Sequence, residues 1–129
     1  MNKILATIQE IQSMDSISII KLKSNLGIFY STILESSDSL SNIKKGKMVS
    51  FLFKETDAFL LKEKLFKTNT IKGKVKKIQK GELFIRLVLQ AKNYEISLLF
   101  TKIEIDVLKI NVDDSIYLFV KPTQIMLEY

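Results

Sequence analysis

Apolar and polar residues alternate along most of this chain with a period of two, the mark of half-buried strands. KILATIQEI (3–11) and TIKGKVKKI (70–78) show it first, and SISIIKLKS (16–24) and ELFIRLVLQ (82–90) follow after polar or glycine-containing turns. GIFYSTIL (27–34) and YEISLLF (94–100) predict a third strand in each half, MVSFLF (48–53) and SIYLFV (115–120) a fourth, and AFLL (58–61) and IMLEY (125–129) a fifth. Between third and fourth strands lie ESSDSLSNIKKGK (35–47) and KIEIDVLKINVDD (102–114), which lack strand alternation. In the former, Ser and Asp offer N-caps, and Leu40 and Ile43 stand at helical spacing.

The two series are one series written twice. An ungapped offset of 67 residues superposes Asn2 on Asn69, Ile4 on Ile71, Ile11 on Ile78, Leu22 on Leu89, Lys54 on Lys121, Thr56 on Thr123 and Leu60 on Leu127. Conservative pairs such as Ile8/Val75, Phe29/Ile96 and Phe51/Leu118 fill the intervals. Apolar matches arise by chance in β-rich segments, but a matched Lys-x-Thr in an ungapped register does not come from alternation alone. The expected architecture is all-β with one short helix per repeat, as two tandem OB-like five-stranded barrels. The repeats are assigned to residues 1–61 and 69–129, with 62–68 as linker.

Composition narrows the chemistry. The chain has 129 residues, 47% hydrophobic and 26% charged, which suits a folded protein. Cysteine and histidine are absent. That removes disulfides, thiolate and histidine catalysis and the usual zinc sites. No apolar run reaches membrane-span length and the N-terminus lacks a signal-peptide pattern, so a cytoplasmic location is expected. A net charge of +6 favours an anionic partner.

The repeated Lys-x-Thr is the candidate site. With the strand continuing through it, residues i and i+2 share a face, so Lys54 and Thr56 would point one way, as would Lys121 and Thr123. An ammonium beside a hydroxyl is a donor-rich cluster suited to a small oxyanion. A solvated lysine beside an edge threonine is the plainer reading. On the oxyanion reading Glu55 and Asp57 should face away, because a nearby carboxylate would repel the ligand.

The opening strands NKILATI and NTIKGKV, together with IKKGKMVSFLFKETDAFLL and DDSIYLFVKPTQIML, resemble tandem Mop/TOBE domains, the molbindin-like modules that bind molybdate and tungstate. The resemblance covers nearly the whole chain. It implies a non-catalytic protein that holds molybdate or tungstate for storage, homeostasis or sensing. Its ligands would be Lys54, Thr56, Lys121 and Thr123, with no side chain ligating the metal directly. The family carries a Ser-Ala-Arg-Asn-like stretch before the opening strand; here only Asn2 and Asn69 match it, and Lys67, Thr68 and Thr70 stand where a charge and a hydroxyl would be supplied. The resemblance also implies homo-oligomers, trimers among them, and a transporter or regulator as partner.

Two other readings remain open. Lys62, Lys64, Lys67, Lys72, Lys74, Lys76, Lys77 and Lys80 crowd the linker and the second opening strand, as in OB barrels that bind single-stranded nucleic acid. Against that, tryptophan is absent and the phenylalanines sit in core-like runs. A degenerate TOBE module serving oligomerisation or regulation without a ligand is the other. An enzyme is disfavoured: KKGK at 44–47 lacks phosphate-loop spacing, and no carboxylate pair has a spacing suited to acid–base work.

Overall fold

The computed structural model describes residues 1–34 and 43–129. Among the described residues ten strands follow one another: β1 Asn2–Met14, β2 Ile17–Ser24, β3 Gly27–Ile33, β4 Met48–Phe53, β5 Ala58–Leu61, β6 Thr70–Lys80, β7 Phe84–Ala91, β8 Tyr94–Thr101, β9 Ser115–Val120 and β10 Met126–Glu128. An α-helix, α1 Lys102–Leu108, stands between β8 and β9. The strands form two antiparallel, five-stranded, OB-like barrels.

The offset of 67 seen in the sequence recurs in the fold. β2 and β7, and likewise β4 and β9, have equivalent first and last residues. Both opening strands carry a register shift at the same place, between Ile8 and Glu10 in β1 and between Val75 and Lys77 in β6. Beside each shift the same backbone pair extends the β1–β4 and β6–β9 ladders. Ile8 N–H donates to Lys47 O and Gly46 N–H to Ile8 O (2.9 and 2.7 Å); Val75 N–H donates to Asp114 O and Asp113 N–H to Val75 O, both at 2.8 Å. Gly46 (φ 90°) and Asp113 (φ 75°) are equivalent and both left-handed, which is why glycine suits this corner.

Strand order departs from the order of the repeats. The first sheet runs β10-β4-β1-β2-β3 and the second β5-β9-β6-β7-β8. Each barrel therefore takes four strands from one sequence copy and its fifth from the other. Boundaries at 61 and 69 delimit the sequence repeats, whereas the sheets are built by a reciprocal exchange of last strands. In β1 the inward positions Ile4, Ala6 and Ile8 are buried while Lys3 and Leu5 face out. The buried apolar side chains of both sheets join in one cluster, with Phe29 stacked on Phe51 at 4.4 Å in the first barrel. At about 1.5–3 kcal/mol per fully buried large aliphatic or aromatic side chain, this shared core holds the two copies together.

The second copy's non-strand segment forms α1 with a capping box: Thr101 Oγ1 accepts from Glu104 N, and Thr101 N–H donates to Glu104 Oε1 at 3.0 Å. Ile105 faces the core, while Ile103 and Val107 are exposed. The helix expected in the first copy, including Leu40, falls largely on 35–42, outside the described residues; Ile43 just beyond is buried. Lys72, Lys74 and Lys76 form the solvated face of β6, where Lys74 pairs with Asp113 and Lys76 with Glu95.

Candidate functional site at the two crossings

Each Lys-x-Thr lies where the chain leaves one barrel and enters the other. That need for a crossing ends the strand before the threonine, so the expectation that Lys and Thr share a strand face is corrected. β4 stops at Phe53. Lys54–Asp57 is a turn in which Asp57 N–H donates to Lys54 O (3.1 Å) and Lys54 N–H to the Asp57 carboxylate (3.0 Å). The equivalent bond in the second copy runs from Gln124 N–H to Lys121 O (2.9 Å), around a 3₁₀ turn at Pro122–Gln124. Pro122 sits at the first turn position, where its missing N–H leaves no donor unpaired.

The turns redistribute the nominated residues among three cavities. Lys54 and Thr56 border one of about 240 Å³ with Met1, Glu55 and Leu99. Thr56 also borders a second, of about 160 Å³, with Asp57, Phe59, Lys121 and Gln124. Thr123 instead lines a third, of about 350 Å³, beside Thr32 and Ile125. The structure thus joins Thr56 to both lysines and separates Thr123 from Lys121. The Lys121 ammonium lies 5.6 Å from the centroid of the Phe59 ring, a cation–π distance.

Glu55 does not turn away as expected. It lines the cavity of Lys54 and Thr56, and its carboxylate is ion-paired with Arg86 and accepts from Ser97 Oγ at 2.7 Å. The cause is local: Leu99 N–H donates to Glu55 O (3.0 Å), pinning the turn to β8, and Ser97 lies two residues back on the same strand. Asp57 does not turn away either: its carboxylate accepts from the Lys54 amide, and the residue lines the cavity of Thr56 and Lys121.

The side-chain amides of Asn2 and Asn69 engage the protein backbone. Asn2 accepts from Ser97 N–H (3.0 Å) and donates to Ser97 O (2.9 Å). Asn69 accepts from Tyr30 N–H (2.7 Å) and donates to Tyr30 O and Val120 O (3.0 and 2.8 Å). Tyr30 and Ser97 are themselves equivalent, so each asparagine clamps the third strand of the other copy. Of the remaining nominees, Thr70 donates its hydroxyl to Thr68 O (3.0 Å) and Lys67 is exposed, while its neighbour Phe66 stacks on Phe119 at 4.1 Å. Sequence reasoning missed Arg86 and Ser97. The available signal was that Arg86 is the chain's single arginine, every other cationic side chain being lysine.

Among the described residues, no group of three or more acidic side chains gathers to hold a metal ion, and no helix is long and apolar enough to cross a membrane.

This is the architecture of paired OB-like barrels with exchanged last strands. No family model and no curated protein matches the chain. Among solved structures it resembles the cytoplasmic molybdate-binding protein ModG in a form with molybdate bound. The TM-score is 0.86 at 18% identity, over 98% of this chain and 94% of that one, a likeness of fold.

Proposed function

We propose that this protein binds a tetrahedral oxyanion, molybdate or tungstate, at the crossings between its two barrels, and that it does so in the cytoplasm for storage, homeostasis or sensing. The observation that carries the reading is the convergence of Thr56 and Lys121, one from each Lys-x-Thr, on a single cavity at the strand exchange. The likeness in fold to molybdate-bound ModG supports the choice of ligand. Lys54, Thr56, Lys121 and Thr123 are the proposed side-chain donors. No bond is broken: ammonium, hydroxyl and backbone N–H groups replace the anion's hydration shell. Each charge-assisted bond contributes roughly 1.5–3 kcal/mol, so a few of them suffice for about micromolar binding.

The cavities are shallow and the donors few, so a further copy of the chain would complete them. Exposed Phe59 beside Lys121, and exposed Ile103 and Val107 on α1, give such an assembly apolar surface to cover. The proposed state is a homo-oligomer, a trimer among the options, delivering anion to or receiving it from a transporter or regulator. The presence of Glu55 in the Lys54 cavity is what favours the second reading, an oligomerisation module that no longer takes anion. A nucleic-acid role draws on Lys62, Lys64, Lys67, Lys72, Lys74, Lys76, Lys77 and Lys80, of which Lys74 and Lys76 are ion-paired.

Calorimetric titration with molybdate and tungstate, against sulfate at matched ionic strength, tests the proposal. Saturable heat with molybdate or tungstate and none with sulfate is expected. Absence of heat with both metal oxyanions, in a protein shown to be folded, leaves the assembly reading.

A further inference from the structure

We infer that Arg86 and Ser97 form an anion site that Glu55 occupies from within, so that its carboxylate competes with an external tetrahedral oxyanion. The inference rests on the oxyanion reading above and deepens it by naming a control on the Lys54 side. The cluster is not a by-product of the repeat: the positions equivalent to Arg86, Ser97 and Glu55 are Ile19, Tyr30 and Pro122, none of them charged. Arg86 pairs with the Glu55 carboxylate and donates to Ser97 Oγ (2.9 Å), which in turn donates to Glu55 Oε2 (2.7 Å). A guanidinium fork with a hydroxyl beside it accepts either a carboxylate or a tetrahedral oxyanion.

The backbone positions of this donor pair are held independently of the carboxylate. Ser97 is fixed by both backbone bonds to Asn2, and Arg86 projects from β7 opposite Leu99 of β8. Glu55 is held to β8 through its carbonyl by Leu99 N–H, so its carboxylate can leave Arg86 and Ser97 without unpinning the turn. Room for a replacement lies alongside, in the cavity of about 240 Å³ bordered by Lys54 and Thr56. Among the described residues Lys54 makes no ion pair and the Thr56 hydroxyl no hydrogen bond. Side-chain exposures of 37% for Arg86 and 30% for Glu55 leave the pair within reach of a solute. With Glu55 displaced, Arg86, Ser97, Lys54 and Thr56 would present donors alone.

Molybdate titration of the native chain, Glu55→Ala, Glu55→Gln and Glu55→Ala/Arg86→Ala tests this, with Glu63→Gln as the control for a lost surface charge. Thermal melts confirm that each variant is folded. Either Glu55 variant should bind one more molybdate per chain, or bind at least tenfold tighter, and Arg86→Ala should abolish the gain. The inference is overturned if both Glu55 variants match the native titration, if Glu63→Gln produces the same gain, or if the gain survives Arg86→Ala. Native binding with no gain overturns this inference and leaves the proposed function standing. Binding that appears only without Glu55 supports the inference while removing the native function, and no binding in any variant removes both.

Discussion

The two crossings share a backbone and differ in chemistry. Both begin with a lysine after the last buried residue of a fourth strand, and both close through an N–H···O bond from the fourth residue to that lysine. The first carries Glu55 and Asp57, the one tied to Arg86 and Ser97 and the other to the Lys54 amide. The second carries Pro122 and Gln124, and no acid. Repetition therefore preserved a connector that the exchange of strands requires, while the side chains on it diverged. In the native chain Lys121 should contribute more to anion binding than Lys54, because residues of both crossings converge on its cavity, although Asp57 of the first lines it too.

The largest expected losses in both halves lie in their cores. Phe29 and Phe51 stack in the first barrel, where the second has Ile96 and Leu118. Phe51→Ala should cost about 3–5 kcal/mol and Leu118→Ala about 2–4 kcal/mol in urea unfolding, from lost burial plus the cavity left behind. Equal losses would mean the stack adds nothing beyond area. Next come the asparagine clamps. Asn69→Ala removes three side-chain bonds at a buried, left-handed residue (φ 55°) and should cost about 2–4 kcal/mol; Asn2→Ala removes two and should cost about 1–2 kcal/mol. A reversed order would break the equivalence of the two clamps. The smallest contrast is in the turns. Asp57→Ala should cost about 1 kcal/mol through the lost Lys54 N–H acceptor, while Gln124→Ala, which removes no such side-chain bond, should fall within about 0.5 kcal/mol of native.

Strand exchange predicts a further contrast that needs no energy scale. Removing residues 126–129 should deprotect β4 amides in hydrogen exchange and leave β9 protected, because β10 pairs with β4. Loss of protection in β9 instead would place β10 with its own sequence copy.

The strands were legible because alternation reports burial directly. Ile4, Ala6 and Ile8 announce an inward face wherever their partner strand comes from. For the same reason alternation is silent about partners, and the exchange of β5 and β10 had no local signature. The turns were misread through their residue types: Asp57 acts as a turn former through its carboxylate, and it stood in a run read as strand end. Asn2 and Asn69 were legible as matched and significant positions, but their role as clamps depends on Ser97 and Tyr30, which meet them only in three dimensions. The Glu55–Arg86 pair spans the two copies and breaks their symmetry, so a search for repeats looks past it.

The most direct test of the central claim compares molybdate binding by the native chain with that of Lys121→Ala and Lys54→Ala in calorimetry, sulfate serving as control. The account predicts saturable molybdate heat in the native chain and a loss of roughly ten- to a hundredfold in affinity for Lys121→Ala, the value of one charge-assisted contact, with a smaller loss for Lys54→Ala. Molybdate binding that is unchanged in both variants, or no heat in any of the three, would contradict it.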